Sequence, residues 1–231
     1  MKVSYLITCS TESDTLKRLL KTVDEGRCPE DEMIILLDKE HGNPSHEAYI
    51  ILGAFHHSRP SYIDCTHPLD NNFGAHKNYG IEKCSGDFIF QLDGDELPPE
   101  ALLGENLHAL LESNPTVEAY AVPRINDFRG VTPQHAAQWG WKLTESPTYK
   151  RPVVNFPDYQ FRIFKRDYPR ISFLRRLHEK IEGYASYVAL PATEEYALYH
   201  DKTIETQIKT NLRYNQMFSQ EENKGHTVFS K

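Results

Sequence analysis

No stretch of this 231-residue chain approaches the roughly 20 consecutive apolar residues that a membrane-spanning helix needs. The opening MKVSYLITCSTES lacks the long apolar core and small-residue cleavage site of a secretion signal, so it reads as a first strand. Cysteine is scarce: Cys9, Cys28, Cys65 and Cys84, with no C-x-x-C pair among them. That spacing argues against a sequence-local metal or redox motif, and a chain of this size needs no disulfide framework to hold a core. The four are expected as buried thiols in a reducing, cytoplasmic protein, with peripheral membrane association left open. An excess of positive charge is also missing. A net charge of -7 disfavours non-specific nucleic-acid binding as the main activity. Residues 142–180 run against this trend, with ten Lys or Arg and four Asp or Glu, a local +6. Either one face handles anions, or these are ordinary surface ion pairs.

The most informative segment is FIFQLDGDE, Phe88 to Glu96. It reads as an apolar strand ending in Asp93, Asp95 and Glu96. Residues two apart on a strand point the same way, so Asp93 and Asp95 crowd together. Crowded carboxylates repel unless a proton or cation neutralises them. A hard divalent metal shared with substrate phosphates is the usual solution, which makes a phosphate-bearing substrate the first functional expectation.

The first half alternates strand and helix signals. Val3 to Cys9, Glu32 to Asp38, Ser61 to Cys65 and Phe88 to Leu92 read as strands. Leu16, Leu19, Leu20 and Val23 lie at helical spacing, with Ser10, Thr11 and Ser13 available as caps; Ser45 to Phe55 and Ala75 to Lys83 also read as helices. The alternation predicts an α/β fold with a mainly parallel central sheet flanked by helices. In such sheets ligands sit beyond the carboxyl ends of the strands, where Asp38 and Asp93 both fall. Further on, the pattern predicts a helix from about Glu100 to Leu111, strands over Ala119–Ile125 and Tyr159–Arg166, and a closing helix from Thr203 to Phe218. Residues 126–158, rich in Gly, Pro and aromatics, read as a long loop or small insertion.

Four blocks then resemble the family 2 glycosyltransferases of the GT-A fold. They are VSYLITCSTESDTLKRLL at the start, IILLD ending in Asp38, FGAHKNYGIEKCSGDFIFQLDGDE from Phe73 to Glu96, and the downstream series PRINDFRG, YQFRIFKR, LHEKIEG and LYHDK. The third is the specific one: a bare D-x-D is common, but one preceded by A-x-K-N-x-G-I and G-D-F-I at these spacings is not. Lys77 stands where Arg is frequent, and Asp38 lacks the usual Asp-Ser-Thr continuation. The downstream order resembles the subgroup acting in bacterial cell-surface and lipopolysaccharide-core glycosylation. The resemblance spans about Val3 to Tyr214.

The resemblance implies a single Rossmann-like GT-A domain, with residues 1–98 as the donor half and 99–231 as the acceptor half. It also implies residue roles. Thr8, Glu12, Asp38, Lys77, Asn78, Asp93 and Arg162 would contact the nucleotide-sugar donor, with His76 a weaker companion. Asp95 would be the main ligand of Mn2+ or Mg2+, Asp93 would serve the donor ribose and the metal's waters, and His200 would be a further ligand. Glu96 would lie behind them or cap the following helix. The metal would neutralise the departing diphosphate. Glu179 would be the base that deprotonates the acceptor hydroxyl in an inverting transfer, with Glu182 its competitor. His178 is a further metal or phosphate partner, and Trp139, Trp141 and Tyr149 are candidates for an acceptor platform. The expected reaction moves a sugar from a nucleoside diphosphate donor, UDP-linked, to a hydroxyl of a saccharide or other anionic acceptor. Three alternatives stand beside it. One is an enzyme glycosylating modified nucleic-acid bases. Another is a nucleotidyltransferase, disfavoured because TCSTESDTLKR has no glycine. The last is a non-catalytic nucleotide- or carbohydrate-binding module.

Overall fold

A computed structural model describes residues 1–10, 14–38, 50–54, 62–219 and 222. Strand β1 (Val3–Cys9) sits in the middle of a seven-stranded sheet, and six of its seven residues are buried. Side chains on a strand alternate between faces. Val3, Tyr5, Ile7 and Cys9 pack with Leu16, Leu19, Leu20 and Val23 of helix α1 (Asp14–Gly26), whereas Leu6 packs with Ile81 of helix α2 (Phe73–Lys83) on the other side. Two cores on two faces explain why VSYLITC and EMIILLD read as continuous apolar runs.

The remaining strands of this sheet are β2 (Glu32–Asp38), β3 (Tyr62–His67), β4 (Phe88–Asp93), β5 (Ala119–Val122), β9 (Gln160–Lys165) and β12 (Tyr187–Ala189). Their order is β12-β5-β9-β4-β1-β2-β3. β3, β2, β1 and β4 are parallel; β9 is antiparallel to both β4 and β5. The chain moves outward from β1 to β2 and β3, then returns to the other side of β1 as β4. That reversal opens a crevice between the carboxyl ends of β1 and β4, where Thr8 and Asp93 are register partners.

Residues 126–158, expected as a long loop or a small insertion, carry secondary structure of their own. The strand expected over Ala119–Ile125 breaks at Pro123, which has no N–H to continue a ladder. Its second part becomes β6 (Arg124–Arg129) in a separate sheet. Helix α4 (Pro133–Trp139) and two-residue strands β7 (Leu143–Thr144) and β8 (Val153–Val154) follow, and β13 (Leu198–Thr203) completes the order β13-β6-β8-β7. Two-residue strands carry no readable period, and β6, with which β8 pairs, is itself paired with β13 more than 70 residues further on.

The helix expected from Glu100 to Leu111 is also interrupted. A 3-10 turn at Glu100–Leu102 gives way at Gly104 to helix α3 (Gly104–Glu112). Gly104 has φ +50, and a Cβ there would lie 2.3 Å from the Gly26 carbonyl oxygen. The break lets α3 dock its first turn directly on the end of α1. Strands β10 (Ser172–Leu174) and β11 (Lys180–Glu182) form a small hairpin, and helix α5 (Ile204–Met217), capped by Thr203, closes the described fold. Of the expected helix at 45–55, residues 50–54 are helical and the rest lies outside the described residues.

Candidate active site

The crevice is built on one buried charge network. Asp93, at the end of β4, accepts through Oδ1 from Thr8 Oγ1 at 2.9 Å, Gln91 Nε2 at 2.9 Å and Lys77 Nζ at 2.9 Å. Its Oδ2 accepts from Arg162 Nη2 at 2.5 Å. Burial alone would raise the Asp93 pKa, but Arg162 and Lys77 hold it well below the usual carboxylate range. Arg162 also reaches Gln91 and, at 2.5 Å, Glu96 Oε1. Glu96 is bonded to Arg124 at 2.9 Å, and Arg124 to Asp158 at 2.6 Å. These groups come from β1, α2, β4, β6 and β9. Carboxylates and cations alternate so that each buried charge has a partner.

Lys77 holds two of these elements together. Its ammonium lies 2.9 Å from Asp93 and 2.6 Å from Glu179 Oε1, with 3% of its side chain exposed. Burial works against its charge, but Asp93 and Glu179 outweigh that and raise its pKa. Lys77, expected as a donor contact, thus lies buried between two carboxylates. Glu179 is held by Lys77. The glycine of the F-G-A-H-K-N block explains the approach: a Cβ on Gly74 would lie 2.4 Å from the Arg175 carbonyl oxygen. Without that atom, α2 can press against the turn leading to Glu179. The turn is itself strained, with Arg175 at φ 76 and His178 at φ 52.

Asn78 serves the same junction. Its amide donates to the Phe173 carbonyl at 2.9 Å, and its oxygen accepts from the Phe173 amide at 2.8 Å. These bonds fix β10 against α2. Asp38 is buried at the end of β2, accepting from the Leu69 amide at 2.9 Å and from Ser10 Oγ at 3.5 Å. His76 packs near His67, with ring centroids 5.6 Å apart, and burial lowers its pKa to about 4. Glu12 lies outside the described residues.

Asp95 and His200 meet at the junction of the two sheets. His200 Nε2 is 3.3 Å from Asp95 Oδ2, and its Nδ1 is 2.7 Å from Asn126 Oδ1. The amide nitrogen of Asn126 donates to Val154 O and to Asp158, so its oxygen faces the imidazole. The Nδ1 of His200 therefore carries the proton, and the Nε2 lone pair faces the carboxylate. Burial, and next Lys202, lowers the His200 pKa and favours this neutral form. Two electron-rich groups face each other here, and a cation between them relieves the repulsion. Lys202 partly supplies one: its Nζ is 2.8 Å from Asp95 Oδ2. Burial opposes ionisation of Asp95, but the Lys202 ammonium holds its carboxyl far below the ordinary range. The oxygen and imidazole set fits a divalent ion such as Mn2+ or Mg2+.

Sequence reasoning assigned no role to Lys202, Arg124, Asn126 or Asp158. Three of them follow a period-two signal that was present. On β13, His200 and Lys202 share a face; on β6, so do Arg124, Asn126 and Phe128, with His200 in register with Asn126. An aromatic path leads outward from His200 through Phe128 at 5.6 Å and Trp141 at 5.3 Å to Trp139 at 4.6 Å. Tyr149 belongs to the opposite face, where its hydroxyl donates to Asp201 and its ring lies under Arg151. Part of the positive charge of segment 142–180 is paired within the fold. Arg151, Arg162, Arg170 and Arg176 pair with carboxylates, and Lys165 and Arg166 donate to backbone carbonyls.

A large, mainly parallel central sheet flanked by helices matches the fold of GT-A glycosyltransferases. The chain belongs to glycosyl transferase family 2, whose family model matches residues 4–173. Similar solved structures include S. aureus TarS 1-349, at 12% identity and TM-score 0.57, covering 94% of this chain and 64% of that one. The same TarS fragment in complex with UDP-GlcNAc has 14% identity and TM-score 0.56, with 87% and 59% covered. The mannosyltransferase PcManGT from Pyrobaculum calidifontis, in complex with GDP-Man and Mn2+, has 13% identity and TM-score 0.56, with 97% and 65% covered. The chain thus spans less than two thirds of each of these proteins. No protein of curated function matches it in sequence. No helix among the described residues is long and apolar enough to cross a membrane.

Proposed function

We propose that this protein is a metal-dependent, inverting glycosyltransferase that moves a sugar from a nucleoside diphosphate donor, UDP-linked, to a hydroxyl of a saccharide acceptor. The observation that carries the reading is the pairing of Asp95 with the Nε2 lone pair of His200, beside a carboxylate, Glu179, fixed by a buried lysine. Asp95 and His200 would hold the divalent metal, which would supply positive charge to offset that of the departing diphosphate. Thr8 and Asp93 mark the donor side of the crevice. Asp93 keeps about a third of its side chain exposed, 32%, for the ribose, while Lys77 and Arg162 hold it in place. Glu179 takes the proton of the acceptor hydroxyl as its oxygen bonds to the anomeric carbon and the bond to the diphosphate breaks. Trp139 and Trp141 offer apolar faces for the acceptor sugar. The TarS complex with UDP-GlcNAc and the PcManGT complex with GDP-Man and Mn2+ support a nucleotide-sugar donor and a divalent metal.

The test is ligand-dependent thermal stability. A ligand bound only by the folded state raises the melting temperature. UDP with Mn2+ should raise it by several degrees and Mn2+ alone by little, and Asp95→Ala should remove the gain. If UDP, GDP and CDP all leave the melting temperature unchanged in the presence of Mn2+, the donor-site reading is wrong.

Lys202 competes with the metal for Asp95. Like charges a few ångströms apart near a surface cost a few kcal/mol. Lys202→Met should therefore tighten Mn2+ binding by roughly tenfold, about 1.4 kcal/mol. Isothermal titration with Mn2+ in the absence of nucleotide checks this; unchanged or weaker affinity contradicts it.

A further inference from the structure

A second cluster of metal-ligating side chains lies at the opposite end of the central sheet, and the donor site makes no use of it. The loop between α1 and β2 carries Cys28, Glu30 and Asp31, and the first turns of α3 carry Glu105 and His108. One ligand atom from each of Cys28, Glu30 and His108 lies within 4.8 Å of the other two. Cys28 Sγ is 3.6 Å from Glu105 Oε1, and His108 Nδ1 is 3.8 Å from Glu30 Oε1. The edges of a tetrahedron with metal–ligand bonds of 2.1 to 2.3 Å are about 3.4–3.8 Å. Both separations fall at this length; Cys28, Glu30 and His108 form the mutually close group, and Glu105 joins it through Cys28. Glu105 and His108 are three apart on one helix and so share a face.

The surroundings of His108 point the same way. Its Nε2 is 2.9 Å from Oδ1 of Asp31, a carboxylate with 0% side-chain exposure. Asp31 also accepts from the Val3 and Cys28 amides, so it is fixed in place. A carboxylate accepts, so Nε2 carries the proton and the Nδ1 lone pair turns toward Glu30 and Cys28. A carboxylate that holds the remote ring nitrogen of a histidine is the usual support of a metal-bound imidazole. Nearby, Arg27 is directed to Asp24 and to the Asp31 carbonyl oxygen. Gly104, at φ +50 and pressed on Gly26, sets the first turn of α3 against this loop.

We propose that Cys28, Glu30, Glu105 and His108 form a structural zinc site that fastens α3 to the loop between α1 and β2. The class of metal follows from the ligands. A thiolate and an imidazole select a soft or borderline ion such as Zn2+, unlike the oxygen-rich set beside Asp95. Without metal the Cys28 thiol stays protonated, because burial, then Asp31 and Glu105, push its pKa up to about 11. Zinc binding would release that proton to solvent as the sulfur–metal bond forms. Seven residues of β1 separate this site from the crevice, about 20 Å at some 3.3 Å per residue.

Co2+ is the probe, since bound thiolate gives it a near-ultraviolet charge-transfer band and tetrahedral geometry gives intense visible bands. The reduced full-length protein, freed of metal with chelator, is titrated with Co2+ and then Zn2+. One equivalent of Co2+ should produce both sets of bands, and Zn2+ should abolish them by displacement. The bands should persist in Asp95→Ala and vanish in Cys28→Ser. Glu30→Gln changes an exposed residue and keeps the fold; it should weaken Co2+ binding by about tenfold even if Cys28→Ser folds poorly. Absence of a charge-transfer band in the wild-type protein, its survival in Cys28→Ser, or unchanged affinity in Glu30→Gln overturns the proposal. Because Asp95→Ala is read separately, failure here leaves the donor-site reading intact, and failure of donor binding leaves this one intact.

Discussion

Replacing Glu179 with glutamine is expected to lower kcat by roughly 100- to 10,000-fold, the range contributed by a positioned general base. Donor binding should survive, because the proposed metal pair, Asp95 and His200, and the proposed donor anchor, Asp93, are untouched. The fold should survive as well. Lys77 keeps Asp93 at 2.9 Å, and the new amide is close in shape to the carboxylate it replaces. The signature is therefore a large loss of turnover with the UDP and Mn2+ thermal shift retained. The measurement is transfer, or donor hydrolysis without acceptor, alongside the melting temperature. The same substitution at Glu182 provides the contrast. Glu182 is exposed on β11, whereas 16% of the Glu179 side chain is exposed. Wild-type turnover in Glu179→Gln with a collapse in Glu182→Gln would reverse the assignment.

Lys77→Met is expected to cost about 3–5 kcal/mol, because it strips the partner from two carboxylates at once. For a chain of this size that is a fall in melting temperature of roughly 10 °C or more. Asp93 would keep Arg162, Thr8 and Gln91, but among the described ion pairs Glu179 would have none left. The loss should be partly relieved by Lys77→Met combined with Glu179→Gln, since the uncompensated charge is then gone. A double-mutant cycle measures this coupling directly. Additive losses in the double variant would show that Lys77 acts through packing alone, for instance against the Phe173 ring 5.4 Å away.

The parallel half of the fold was readable because its signals are local. VSYLITC, EMIILLD and FIFQLD are each buried on both faces, and each shows it as an unbroken apolar run. The acidic end of β4 was readable for the same reason, since Asp93, Asp95 and Glu96 are neighbours in sequence. The second sheet was not. β7 and β8 have two residues each, and β6 pairs with β13 across more than 70 residues.

The sequence by itself determined which residues carry charge at the strand ends, the α/β alternation, and the block from Phe73 to Glu96 whose spacing marks the family. Only the tertiary structure decided how those charges pair. Lys77 and Arg162 carry no mark of burial in the sequence, yet folding places both against Asp93. His200 meets Asp95 only because β13 closes a second sheet beside β4. Likewise, Cys28 and His108 come together only because Gly104 breaks a helix and turns α3 onto the end of α1. The reason is the same each time. A residue's type and its near neighbours fix its charge and its strand or helix face. The partner that neutralises it comes from a distant segment, brought close by burial of two cores that share one sheet.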